Sequence, residues 1–412
     1  MSTFVRNRQY YKFCAYGFLK NLRFYDAFLL LFFLDNGISY TQIGIIYATR
    51  ELVTFFSEIP SGIIADTYGR KSALIASFFF YILSFLLFYV SGTFMLFLFA
   101  IVLYGIGDAF RTGTHKGMIM DYLRLHDWHQ YKIDYYGHTR SWSQMGSAFS
   151  ALLAGVLVLY SGNYRFIYLI SVFPYLLNLV NIYSYPKSLD YTLVKTENAA
   201  PRTLAIVFKD FVRTIKKPAV FQIVNLTAIH TAFLTAIKDY IQPLMVQVAI
   251  LIPIMVGLDV KRKSGIVIGL IYFVIYLLTS YASKKAYVIS GLGYKSISKL
   301  TLYIGLASGA ICGLLYNTEF WVLALLFFIV IYIVENIRLP ILTGDLADQV
   351  PDEILTSVIS AKSFLATLMT TALVLLLGVL SDHFGIGISL VAISCFLVLF
   401  TLVVGKLKIY SV

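Results

Sequence analysis

Runs of about twenty uncharged, mostly apolar residues alternate with short polar segments along most of the chain. Ser141–Tyr164, Phe166–Pro186, Ser264–Ser283, Leu300–Thr318, Ser363–Ser381 and Phe384–Gly405 contain no Asp, Glu, Lys or Arg. A helix needs ~20 apolar residues to cross the hydrocarbon layer of a bilayer, so each of these predicts one membrane span. Ser72–Gly107 is too long for one span and carries Ser91-Gly92-Thr93 near its middle, which predicts two helices and a tight turn. Spans near 16–35, 42–65, 218–247 and 319–339 complete a set of twelve. One stretch is ambiguous. Tyr240–Leu258 is uncharged but interrupted by Pro243 and Pro253, and is read as a long seventh helix followed by an outer, partly interfacial segment, rather than as a thirteenth span.

Composition agrees with this pattern. Of 412 residues 59% are hydrophobic and only 13% charged, against roughly a quarter charged in soluble domains. The N-terminal stretch shows no short apolar core with a small-residue cleavage site, so no signal peptide is expected. Cys14, Cys312 and Cys395 are scattered and suggest neither a disulfide framework nor a metal cluster. No cofactor is expected, and the inner loops are too short to hold a catalytic domain.

The formal charge of +12 is explained by its distribution. With both termini on the cytoplasmic side, 24 of the 33 Lys and Arg fall in inner segments and 4 in outer loops: Arg165, Lys261, Arg262 and Lys263. Cytoplasmic loops of membrane proteins carry this excess, so the charge is an orientation signal and not a nucleic-acid footprint. The Lys261–Lys263 cluster is the exception.

The longest polar stretch, Lys187–Lys217, holds seven of the basic residues. It predicts a six-helix bundle over 1–186, a central cytoplasmic loop over 187–217 and a second six-helix bundle over 218–412. The halves echo each other. Ile43-Gly44-Ile45-Ile46-Tyr47 matches Ile268-Gly269-Leu270-Ile271-Tyr272 at an offset of 225, and Gly155-Val156-Leu157 matches Gly378-Val379-Leu380 at an offset of 223. Two matches at nearly one offset point to duplication.

The second span ends in Gly62-Ile63-Ile64-Ala65-Asp66-Thr67-Tyr68-Gly69-Arg70-Lys71. Gly62 permits close helix approach and Gly69 a tight turn. Asp66 suits a basic partner or a helix N-terminus, and Arg70 and Lys71 anchor the loop on the cytoplasmic side. This segment resembles the major facilitator superfamily signature G-x-x-x-D-x-x-G-R-K at every position, at the expected place in a twelve-span chain. The resemblance implies two six-helix bundles around a cavity of alternating exposure, with Asp66, Gly69, Arg70 and Lys71 in a cytoplasmic gate. Weaker echoes follow the eighth span, at Ser283-Lys284-Lys285…Gly291-Leu292-Gly293-Tyr294-Lys295, and end the eleventh, at Gly378–Gly385. Two marks of the drug-antiporter branch are missing. Helix 4 lacks R-x-x-Q-G, and helix 5 has Gly146 and Gly155 without proline.

Charges within spans are costly, about 2.5–3.5 kcal/mol on insertion scales, and mark functional candidates. In helix 4, Asp108, Arg111, Thr112, His115 and Tyr122 form one polar stripe: either a substrate or proton path, or gate salt bridges, the latter favoured for Lys116 and Asp121. Asp26 is a proton carrier or the counter-ion of Arg23. Glu58 is a proton carrier or a cap on the gate motif. Thr231, Thr235, Lys238 and Gln242 form a stripe in helix 7, where Lys238 neutralises an anionic substrate or pairs with Asp239. Glu335 and Arg338 are expected near the inner end, in gating roles. His115, Met118 and Met120 invite a soft-metal reading, but no second Met cluster supports it. The expected function is secondary transport of a small solute, proton-coupled, by a monomer in a bacterial plasma membrane. The alternatives are a uniporter and a non-transporting receptor. Efflux and uptake both stay open.

Overall fold

The computed structural model describes residues 5–190, 218–253, 257–290, 294–349 and 352–405, almost entirely as helix. Three of the spans are broken. In the first, α1 (Arg8–Lys20) starts on Asn7, whose side chain accepts the Tyr10 N–H. It stops at Asn21, and a 3-10 turn, Phe24–Phe28, leads into α2 (Leu29–Asp35). The unbroken helix expected over 16–35 is therefore wrong in both start and continuity. Arg23 and Asp26 pair at 3.2 Å across the break, and a neighbouring span satisfies the freed backbone, the condition on which bilayers tolerate such breaks.

The second and third spans, α3 (Tyr40–Tyr68) and α4 (Arg70–Val90), meet at Gly69, where φ is +98°. Ser39 and Gln42 form a capping box on α3. The Ser91-Gly92-Thr93 turn separates α4 from α5 (Phe94–Arg111) as expected. Helix 4 is then broken. Gly113, with φ +77°, separates α5 from α6 (Thr114–Leu125), so the expected single stripe from Asp108 to Tyr122 is divided between two helices. The first half closes with α7 (Lys132–Ser161) and α8 (Arg165–Tyr183).

In the second half, α9 (Pro218–Ile237) passes through a 3-10 turn at Lys238–Tyr240 into α10 (Ile241–Leu251). Ile241, Gln242, Pro243, Leu244 and Met245 are all buried. The seventh span expected over 218–247 is thus bent by a 3-10 turn and stays packed through Ala249, beyond which Ile250 and Leu251 are exposed, with Pro243 in the first turn of α10, where a missing N–H costs little. There follow α11 (Val260–Ser290), α12 (Tyr294–Asn317), α13 (Trp321–Gln349) and α14 (Asp352–Gly405), which is two helices meeting at Gly385 with φ +80°. Eight stretches are long and apolar enough to cross a membrane, and one of them, Ala361–Val404, is 44 residues and holds two spans. The broken first and seventh spans and the charge-bearing α3 lie outside these eight stretches and bring the spans to twelve. The proposed central loop lies, from 191 to 217, outside the described residues. So do 291–293 of the echo after the eighth span.

The halves meet along two matched interfaces. Gly44 of α3 lies so close to α14 that a Cβ there would be 2.5 Å from the Val374 carbonyl oxygen, and one on Gly378 would be 2.5 Å from that of Tyr40. Between α7 and α11 the same holds: a Cβ on Gly269 would be 2.8 Å from the Ala151 oxygen, and one on Gly155 2.7 Å from that of Gly265. Tyr40 and Gly44 map onto Gly265 and Gly269 at an offset of 225, and Ala151 and Gly155 onto Val374 and Gly378 at 223. Both interfaces are thus copies of one small-residue contact, the packing that lets membrane helices approach closely.

These contacts lie toward one end of the spans, the face opposite Gly62–Lys71, hereafter the far face. Asp382 adds a polar latch there by accepting the N–H groups of Tyr40 at 2.9 Å and Thr41 at 2.7 Å. The exceptional basic cluster is also used at this end. Lys261 pairs with Asp35 across the halves, Arg262 pairs with Asp259 at 3.4 Å, and Lys263 donates to the Ile250 carbonyl at 3.4 Å. The far face is sealed.

Candidate functional site

At the motif face, Arg70 pairs with Asp121 of α6 at 2.5 Å, with Arg124 a further 3.8 Å from the same carboxylate. Lys71 donates from Nζ to the Tyr185 carbonyl at 2.9 Å, and its ammonium lies 5.3 Å from the Tyr183 ring centre. Asp190 caps α4 by accepting the Lys71 N–H at 3.1 Å, and it fills the space where a Cβ on Gly69 would stand. Gly69 is therefore required twice over, by its positive φ and by that carboxylate. Gly62 and Asp66 are exposed, with nothing within 4 Å of a Cβ on Gly62 and no ion pair at Asp66 among the described residues. The motif end of α3 thus stands clear.

Above this, the breaks of the first and seventh spans meet. Gln242, fully buried at the start of α10, accepts the Leu30 N–H at 2.9 Å and the Leu31 N–H at 3.3 Å, and donates to the Asp26 carbonyl at 3.0 Å. One side chain of the second half thereby satisfies the backbone released by the break in the first span. Asp26 keeps Arg23 as its counter-ion. Asp108 and Arg111 form a closed triangle with Tyr81: Arg111 donates to Asp108 at 2.9 Å and to the Tyr81 hydroxyl at 2.9 Å, and that hydroxyl donates to Asp108. Arg50 is tied to Glu51 at 2.7 Å. Glu58 is exposed and makes no described ion pair. Lys238 and Asp239 are neighbours in the 3-10 turn but do not pair, and Asp239 is only 5% exposed.

A cavity of about 210 Å³ opens below these groups between α1, α6 and α7. Lys20, Arg111, His115, Lys116 and Arg140 reach its wall, as do Tyr136, Thr139 and Ser143. His115 is stacked on Tyr16 with ring centres 3.5 Å apart and planes 8° from parallel. Its Nε2 is 3.3 Å from the Tyr185 hydroxyl, which leaves no soft-metal arrangement with Met118, a residue that is wholly buried. Among the described residues no group of three His, Cys, Asp or Glu is placed to hold a metal ion.

The family model of the Major Facilitator Superfamily matches residues 17–369, which includes the motif, the helix breaks and both glycine interfaces. The chain belongs to the major facilitator superfamily. An uncharacterized MFS-type transporter of Bacillus subtilis (strain 168), YxaM, is 29% identical over 87 residues, 21% of this chain and 22% of that protein; the match spans about a fifth of either. Among solved structures, the nucleoside transporter NupG superposes with a TM-score of 0.70 at 13% identity, covering 97% of each chain. A bacterial homolog of the human lysosomal transporter Spinster, inward-facing and unoccupied, superposes at 0.72 and 15% identity, covering 97% of this chain and 98% of that one. At such identities the likeness concerns the fold. A membership of this kind makes the chain a membrane transporter and not an enzyme.

Two parts of this facilitator escaped the sequence reading. Lys20, not singled out by its sequence context, ends α1, ~18 Å along the helix from Arg8 at 1.5 Å per residue, and reaches the cavity wall. The other is a buried pair in the second half: His230 Nδ1 lies 2.7 Å from Glu335, and Thr231 donates to the same carboxylate at 2.6 Å. Spacing within one helix cannot reveal a pair formed between α9 and α13. Arg338, expected to gate, is instead 1% exposed and donates to the Ser298 and Leu226 carbonyls at 2.6 and 2.7 Å. It joins α13 to α12 and α9.

Proposed function

We propose that the protein is a secondary active transporter that moves a small solute by alternating access and couples that movement to protons. The observation carrying this reading is the asymmetry between its two faces. The far face is closed by two matched glycine interfaces and the Asp382 latch, while Gly62 and Asp66 at the motif face have no described partner from the other half. A chain built of two such halves has a second arrangement available, in which the far face parts and the motif face closes on Asp66, Gly69, Arg70 and Lys71.

Proton coupling needs a carboxylate within the spans that is not held by a fixed cation. Asp26 and Asp108 have Arg23 and Arg111, which favours the counter-ion role for both. Asp239 and Glu58 have no such partner, and the Glu335 carboxylate is shared with a histidine. These three are the stronger carriers. The excess of Lys and Arg on the motif side supports both termini lying in the cytoplasm, with the chain in a bacterial plasma membrane, and nothing in the fold calls for more than a monomer.

The experiment is flux in proteoliposomes loaded with a panel of labelled solutes, with and without an imposed pH gradient. Accumulation that follows the gradient supports the reading. Flux of equal rate and extent in both conditions sinks the coupling and leaves a uniporter, while no exchange of any solute favours a receptor.

A further inference from the structure

The cavity between α1, α6 and α7 has a feature that transport of an unspecified solute does not require. Its wall carries five basic side chains, Lys20, Arg111, His115, Lys116 and Arg140, and no carboxylate. A basic vestibule near the cytoplasmic surface has an ordinary explanation, since interfacial Lys and Arg orient the chain. That explanation covers Lys116 and Arg140, which are exposed. It does not cover Lys20, which is half-buried at the end of α1 and has no ion pair or hydrogen bond from its ammonium among the described residues. Nor is Lys20 needed to cap α1, because Asn21 and the Tyr175 hydroxyl already donate to the terminal carbonyls of Gly17 and Lys20.

The backbone adds to this. The break in helix 4 places Gly113 on the cavity wall, directly before the first turn of α6. No side chain caps that turn. A twelve-residue helix therefore presents free N–H groups and the positive end of its dipole beside Lys20 and Arg111. A helix N-terminus with free N–H groups suits the anionic group of a solute. The hydroxyl of Ser143, on the facing α7, supplies a neutral donor.

We infer that this cavity binds the anionic group of the transported solute, a small carboxylate or phosphate ester, between the Lys20 ammonium, the Arg111 guanidinium and the N-terminus of α6. Arg111 shares its charge with Asp108, so Lys20 supplies the uncompensated positive charge that selects an anion over a neutral isostere. The inference rests on the transport reading for its physiological meaning and on the cavity alone for binding.

The test is thermal stability and direct binding of the full-length purified protein with benzoate, succinate and glycerol phosphate, each against a neutral counterpart such as benzamide or glycerol. At least one anion should raise the melting temperature and its neutral counterpart should not. Lys20→Gln should weaken that binding tenfold or more, and Lys20→Arg should restore most of it. Lys20 has no partner to orphan, so the variant is expected to fold, which an unchanged melting temperature without ligand verifies. Equal stabilisation by neutral counterparts, unaltered anion binding by Lys20→Gln, or no shift with any of the three anions would overturn the assignment. An effect confined to phosphatidylglycerol-containing micelles, absent with soluble anions, would also overturn it in favour of a lipid headgroup. Counterflow of the bound anion separates the two readings: binding without flux keeps the anion site and removes the transport role, whereas flux of a neutral solute indifferent to Lys20→Gln does the reverse.

Discussion

Asp382, at the end of the eleventh span, holds the start of the second: its carboxylate accepts the backbone N–H of Thr41 at 2.7 Å and of Tyr40 at 2.9 Å. The acceptor belongs to one half of the molecule and the donors to the other. A side chain from one bundle thereby satisfies the free N–H groups at a helix start in the other, where its negative charge also meets the helix dipole.

Removing that latch should favour the opposite state. N-terminal caps are worth about 1 kcal/mol, so Asp382→Ala should shift the population toward a parted far face about fivefold. Ser147, beside Arg23 and Asp26, can report this as a single cysteine after Cys14, Cys312 and Cys395 are replaced. A membrane-impermeant thiol reagent added from the far side should label it faster in the Asp382→Ala background. An unchanged rate would show that the latch does not set the balance.

The two glycine interfaces predict a symmetric pair of mutants. A side chain at Gly44 meets the Val374 carbonyl and one at Gly269 meets the Ala151 carbonyl. Neither backbone oxygen can rotate away, so Gly44→Val and Gly269→Val should each hold the far face apart. Flux should fall at least tenfold in both while insertion is retained. If only one of them slows exchange, the two interfaces are not equivalent.

Gln242 is a stability prediction. Gln242→Leu keeps the approximate volume but orphans the Leu30 and Leu31 N–H groups and the Asp26 carbonyl. An unsatisfied buried group costs about 1–3 kcal/mol. The melting temperature in detergent should drop by several degrees, and a variant as stable as the parent would show that water replaces the amide.

The motif residues separate by state. Arg70 and Asp121 are paired at 2.5 Å in this state, whereas Asp66 is exposed. Asp121→Asn should therefore destabilise the far-face-closed form by about 1 kcal/mol, a value discounted for the part-exposed arginine. Asp66→Ala should slow transport with little effect on this form's melting temperature. Loss of stability in Asp66→Ala without loss of flux would reverse the assignment.

The fold was legible in the sequence because spans are long, their loops carry charge, and Gly62–Lys71 matches its family position by position. Even the matched interfaces were foreshadowed, since Gly44 and Gly269, and Gly155 and Gly378, stood at repeated offsets. What stayed hidden depended on breaks and on pairs between helices. Hydropathy does not register a 3-10 turn at Phe24–Phe28 or Lys238–Tyr240, because those residues stay in the layer. It therefore expected unbroken helices over 16–35 and 218–247, where each span bends through a 3-10 turn. Glu335 was noticed and His230 was not, since their contact joins residues 105 positions apart.

The central claim, that transport requires the far face to part, is tested most directly by cross-linking it. Thr41→Cys with Asp382→Cys, in the background lacking the native cysteines, places two thiols where the latch now sits. Proteoliposomes carrying this variant should exchange labelled solute under reducing conditions and stop when a short thiol cross-linker joins the pair. Exchange at the same rate before and after complete cross-linking would contradict the account.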